Sequence, residues 1–85
     1  MKTISEAAMN EMLVALGSAI RELRQERGLT LEELASRVEL HVSYISLVER
    51  GRRNPTWRTV RRISKAMDIP FLQLVSRAEE MQQGL

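Results

Sequence analysis

Between Arg50 and Met67 the chain carries Arg50, Arg52, Arg53, Arg58, Arg61, Arg62 and Lys65, and not one Asp or Glu. That is more than half of the 13 Lys and Arg residues, in a chain whose net charge is only +2. A local cationic field in an otherwise balanced chain attracts a polyanion. A charge run is more often a plain solvated face, but acidic residues are interspersed almost everywhere else here. Other chemistries are poorly supplied. With no cysteine, disulfides, thiolate zinc sites and thiol nucleophiles all fall away. One histidine, His41, and scattered carboxylates make no metal site, and no cofactor is expected. Ser43 and Ser46 have no histidine or lysine suitably placed to activate them, and no glycine-rich loop cradles a phosphate. The expectation is a binding protein and not an enzyme.

The elements that must position these residues are all helical. Met9, Leu13, Leu16, Ile20 and Leu23 step by four and three, laying an apolar stripe on one face. Ser5 can cap the start of that stretch, and Arg27-Gly28 supplies a terminal cation and a stop. Gly17 inside it leaves two readings, one long helix or a short helix followed by another. Thr30-Leu31-Glu32-Glu33 is a capping box, opening a second helix with inner residues Leu31, Leu34, Ala35 and Val38. A third helix is expected from Val42 to about Arg50, with Tyr44, Ile45 and Val48 inward and Gly51 as its stop. Thr56 caps a fourth, Trp57 to Met67, whose inner face is Trp57, Val60, Ile63 and Met67. A fifth begins at Pro70, where a missing N–H costs nothing, and runs through Phe71, Leu74, Val75, Ala78 and Met81. The fold class is all-α, five helices in one domain.

At 85 residues the chain sits near the small end of independently folding domains. With one Trp, one Tyr and one Phe its core must be aliphatic, and a core of this size often gains stability from oligomerisation. No apolar run is long enough to span a membrane, and Met1-Lys2-Thr3-Ile4-Ser5-Glu6 lacks the apolar segment of a signal peptide. A cytoplasmic protein, bacterial or phage and associated with the nucleoid, is expected.

Helices two and three are short and joined by three or four residues, the arrangement of a helix-turn-helix. In order along the chain stand Leu16-Gly17, Ile20, Arg21, Leu23-Arg24, Gly28-Leu29-Thr30, Glu33-Leu34-Ala35, Tyr44-Ile45-Ser46, Glu49-Arg50-Gly51 and Arg53-Asn54-Pro55. The chain thus resembles the Cro and phage-repressor (XRE) helix-turn-helix family, with a lambda-repressor-like DNA-binding domain, over roughly Leu16 to Leu74. From His41 to Pro55 it is similar to the controller proteins of restriction–modification systems. The resemblance implies a division into residues 1–15 (a helical extension), 16–75 (the helix-turn-helix domain) and 76–85 (a helix end and tail).

The resemblance also assigns roles. The third helix would enter the major groove of double-stranded DNA, where Val42, Ser43, Ser46, Leu47 and Arg50 face outward. Ser43 can hydrogen-bond any base, whereas Val42 and Leu47 can meet only a thymine methyl. Arg50 would reach a guanine or a phosphate. Arg52, Arg53 and Asn54 would grip phosphates, with Arg58 and Arg61 extending the grip, while Arg62 and Lys65 rank lower as solvated groups. His41 stands at the start of the third helix as a capping or phosphate-contacting group. Tyr44 packs inward with a hydroxyl that can reach a phosphate, and Trp57 closes the core. Arg24 and Glu49 match a structural ion pair of the family. Two departures stand out: Leu31 replaces a common phosphate-holding Gln, and Glu39 replaces a common Gly in the turn, at a cost of about 1 kcal/mol if left-handed.

One recognition helix reads too few base pairs for useful affinity. A two-fold homodimer on a palindromic operator, its half-sites about 34 Å apart, is therefore expected. Phe71, Leu72, Val75, Ala78 and Met81 offer a dimer surface, or alternatively complete the monomer core. The expected role is transcriptional regulation, as repressor or as activator through RNA polymerase. The competing reading is a helix-turn-helix that binds another protein, such as an antitoxin-like partner, through Val42 and Leu47.

Overall fold

The computed structural model describes residues 3–83, in five helices: α1 Glu6–Glu26, α2 Leu31–Val38, α3 Val42–Glu49, α4 Trp57–Ala66 and α5 Phe71–Gln82. No strand occurs among the described residues. Of the residues read above, Met1 and Lys2 and the end of the 76–85 segment (84 and 85) lie outside the description.

The sequence signals at helix starts act where they were read. Ser5 accepts from the Ala8 amide, and Thr56 from the Thr59 amide. Thr30 accepts from the Glu33 amide at 3.0 Å while the Glu33 carboxylate accepts from the Thr30 amide at 2.9 Å, completing the capping box. That amide and the Thr30 hydroxyl hold the Glu33 carboxyl below the usual carboxylate range. His41 starts α3 but makes no side-chain capping bond, so its capping role is not seen.

The first four helices end alike. A left-handed residue follows each: Gly28 (φ 68), Glu39 (φ 62), Gly51 (φ 72) and Asp68 (φ 59). The next amide then reaches back over the last turn, as in Leu40 N–H to Ala35 O at 3.1 Å and Arg52 N–H to Leu47 O at 2.8 Å. This is the Schellman closure, which satisfies carbonyls a helix end would otherwise strand.

The stretch containing Gly17 is a single 21-residue helix, about 30 Å long. The 15/16 division implied by the family resemblance therefore falls inside α1, and 75/76 falls inside α5. Ala19, Ile20, Leu23, Leu29, Leu34, Val38, Ile45, Val48, Ile63, Met67, Ile69 and Leu74 form one aliphatic core that all five helices or their connections feed. At the back of the molecule α1 and α5 pack most extensively. Arg77 of α5 bridges Glu22 at 2.5 Å and Glu26 at 2.6 Å.

Trp57 does not close this core: it is 67% exposed. The inward stripe of α4 is Val60, Ile63, Ser64 and Met67, and Trp57, as the first residue of the helix, lies a turn beyond the point where that stripe meets the interior. Its indole instead rests on Phe71, with ring centroids 4.5 Å apart. The Arg61 guanidinium stands 5.8 Å from the Trp57 ring and 5.2 Å from that of Phe71, a cation–π arrangement.

Candidate nucleic-acid interface

The interface begins with an eight-residue helix whose two sides differ completely. Ile45, Val48 and Glu49 of α3 are buried, against α1 and α2. At 3.6 residues per turn, Ser43, Ser46, Leu47 and Arg50 then fall on the opposite arc. Ser43 and Arg50 are exposed, and Ser46 and Leu47 half-buried. Val42 sits nearer the flank but is 39% exposed because no preceding turn covers it. Tyr44 is half-buried and packs against the core, as read from its spacing.

A cationic rim follows directly. Arg52, Arg53, Asn54 and Arg58 are all exposed, as is His41 at the other end of the helix. The Arg50 side chain folds back toward the Ser46 carbonyl at 3.4 Å, and Arg53 toward the Arg52 carbonyl at 3.4 Å. Contacts that long are weak, so both guanidiniums are free to swing outward to a phosphate.

Arg62 behaves differently from its neighbours. It donates to the Val38 carbonyl at the end of α2. Arg37 returns the favour, donating to the Ala66 carbonyl at the end of α4 at 3.2 Å. A cation at a helix C-terminus is favourable against the macrodipole, and the two bonds tie α4 to the turn of the helix-turn-helix. Arg62, although exposed, thus also braces the turn. Lys65 is exposed.

The turn itself holds Glu39 in the left-handed region, φ 62 and ψ 43, the conformation that makes glycine common there. Leu31 is half-buried and packs on the core.

Behind α3, Arg24 grips Glu49 with a two-pronged bond: Nε to Oε2 at 2.7 Å and Nη2 to Oε1 at 3.0 Å. Its third nitrogen, Nη1, donates to the Leu29 carbonyl at 2.9 Å. The side chains are only 11% and 5% exposed, and the bond to Glu49 raises the Arg24 pKa further above its ordinary value. Arg24 and Glu49, matched to an ion pair by family resemblance, form one here.

Two features escaped the sequence reading. Gly17 and Gly51 mark places where the α1 backbone and the end of α3 nearly touch. Arg21, on the same α1 face between Gly17 and Arg24, is exposed and adds a cation on the side of α1 that meets α3. Spacing relative to Arg24 was the available signal for both Gly17 and Arg21.

On the far side, the residues offered for a dimer divide. Phe71, Ala78 and Met81 are partly buried against the monomer core, and Val75 faces Met9, Met12, Leu13 and Leu16 of α1 across a shallow groove. Leu72 is 73% exposed, on the helix that begins beside Trp57. Among the described residues no group of His, Asp and Glu could hold a metal, and no helix is long and apolar enough to cross a membrane.

Against known families, residues 20–74 match the helix-turn-helix model. The chain belongs to the XRE-type helix-turn-helix family. An uncharacterized HTH-type transcriptional regulator of Sinorhizobium fredii, y4dJ, is 38% identical over 74 residues, covering 87% of this chain and 96% of that protein. The control protein C.MunI of Mycoplasma is 30% identical over 73 residues, covering 85% of this chain and 99% of its own length. Among solved structures, the restriction-modification controller protein C.AhdI from Aeromonas hydrophila superposes with a TM-score of 0.71 at 40% identity, over 73% of this chain and 94% of that one. The family is one of DNA-binding transcription regulators, and the resemblance to controller proteins read from His41–Pro55 holds across most of the chain.

Proposed function

We propose that the chain is a homodimeric, sequence-specific regulator of transcription that reads a palindromic operator with α3 in the major groove and acts by binding alone. The observation that carries this is the outward arc of α3, set on a rigid back and continued without a break into exposed Arg50, Arg52, Arg53 and Arg58. Ser43, Ser46, Leu47 and Val42 meet base edges, with Arg50 on a guanine or a phosphate. Arg52, Arg53, Asn54 and Arg58 hold the backbone, joined by His41 and the Tyr44 hydroxyl. Few polar groups on the helix leave part of the site choice to DNA shape. The dimer contact runs along α5 through Phe71, Leu72, Val75, Ala78 and Met81, with Leu72 the most exposed of them. Once on the operator, the protein represses, or activates through RNA polymerase, in the bacterial or phage-infected cytoplasm.

The test is selection from a random duplex pool, followed by binding to the selected and random sequences across a range of salt. Enrichment of a palindrome, with affinity falling steeply as salt rises, is the expected result. Arg53→Ala weakens binding to every sequence and lowers the salt slope by about 1. Leu47→Ala shifts base preference mainly at one position. If both variants act alike on specific and random DNA, α3 is not the reading helix. Absence of binding at low salt transfers the function to a protein partner at Val42 and Leu47.

A further inference from the structure

The end of α3 does not merely pack on α1; it rests on the α1 backbone. A Cβ placed on Gly17 would lie 2.3 Å from the Val48 carbonyl oxygen and 2.5 Å from that of Glu49. Both are main-chain atoms at the last turn of α3 and cannot rotate aside. One step further on, a Cβ on Gly51 would lie 2.8 Å from Val14 Cα and 3.0 Å from the Val14 nitrogen. The φ of 72° at Gly51 makes any side chain there strained as well. Gly28, also left-handed, has nothing within 4 Å of such a Cβ, so the close approach belongs to this joint and not to the left-handed turn as such.

Val14, Gly17 and Arg24 lie within a sector of about 80° on α1. The stripe therefore presents, in order, a close contact to Gly51, a close contact to Val48 and Glu49, and the two-pronged bond to the Glu49 carboxylate. Three contacts along one line fix both the distance of α3 from α1 and its rotation about its own axis. A rigid helix transmits any displacement of that end to Ser43, Ser46, Leu47 and Arg50.

We infer that Gly17 is a specificity-determining positioning residue: by admitting the α3 carbonyls to the α1 backbone it sets the angle at which the reading face is offered to the bases. This rests on the assignment of α3 as the recognition helix. Ordinary contact begins at 3.4 Å, so an alanine at this position pushes the end of α3 away by about an ångström. Phosphate contacts from flexible arginines follow such a shift, whereas short Ser43 and Leu47 side chains cannot.

The experiment is Gly17→Ala on the full chain, with affinity measured for the selected operator and for random duplex at a temperature where circular dichroism reports a folded protein. The expected result is an operator affinity at least about tenfold lower with random-duplex affinity changed less than about twofold, collapsing the specificity ratio. Arg24→Lys, which keeps the charge but loses the two-pronged geometry, serves if Gly17→Ala does not fold, and it reduces the same ratio by a smaller factor. An equal fall in both affinities would mean that Gly17 supports only the fold, and no fall in either would mean that α1 does not set the reading angle. A wild-type chain that fails to discriminate between DNA sequences would overturn the recognition-helix assignment itself, and this inference with it.

Discussion

At its C-terminal end α3 meets main chain at Gly17, is clamped through Glu49 to Arg24, and closes over a glycine pressed against Val14. At its N-terminal end His41 makes no capping bond, and the preceding turn holds Glu39 in a conformation that side chains avoid. The two ends of one eight-residue helix are thus held to different standards. The contrast teaches that the orientation of α3 is set chiefly at its C-terminal end, by the contacts it makes with α1.

The strongest way to break this contrast is to open the clamp. Arg24→Ala leaves the Glu49 carboxylate buried without its partner, and a loss of about 3–5 kcal/mol is expected in chemical denaturation. A loss below about 1 kcal/mol, the level of an exposed surface pair, would erase the difference between the ends. The loose end is expected to respond in the other direction. Glu39→Gly relieves the left-handed strain and raises stability by about 1 kcal/mol, read as a higher denaturation midpoint. His41→Ser supplies the missing cap and adds about 0.5–1 kcal/mol. Glu39→Gly should leave the affinity for random DNA within a small factor, since it touches none of His41, Arg52, Arg53 and Arg58.

The smallest effect concerns α2, whose start carries the cap that α3 lacks. Because the Glu33 carboxyl is held below its usual range by the Thr30 amide, its contribution is complete above the unfolded value of about 4.3. It fades as pH falls through the lower folded value. Thermal melts between pH 6 and about 3 should therefore show a slightly shallower decline for Glu33→Gln than for the parent. Identical pH profiles would mean that the negative charge of the carboxylate gives α2 no advantage over a neutral amide at the same position.

Much of this was legible before any coordinates, and the reasons are local. Capping residues, terminal glycines and apolar spacing act within one turn, so Ser5, Thr30, Glu33 and Thr56 do what their neighbours in sequence require. The Arg24–Glu49 pair spans 25 positions and was legible only through likeness to relatives. Trp57 was misplaced because spacing gives a side chain's direction but not where the neighbouring helix stops. Arg62 passed as surface charge because its acceptor is a main-chain carbonyl, which no residue type announces. Gly17 read only as a point where one helix could give way to another, since a missing side chain says nothing of what comes to occupy its space.

The bridges from Arg77 to Glu22 and Glu26 join residues 55 and 51 positions apart. Closing a loop of that size costs chain entropy before any contact repays it, so the pairing of α1 with α5 is expected late in folding. During synthesis α1 emerges with its Ile20 and Leu23 stripe uncovered, and α2 and α3 emerge before the helix that completes the back of the core. Competence to read DNA would then arrive only once α5 has been made, which delays the regulator's action until the whole of this helical set has left the ribosome.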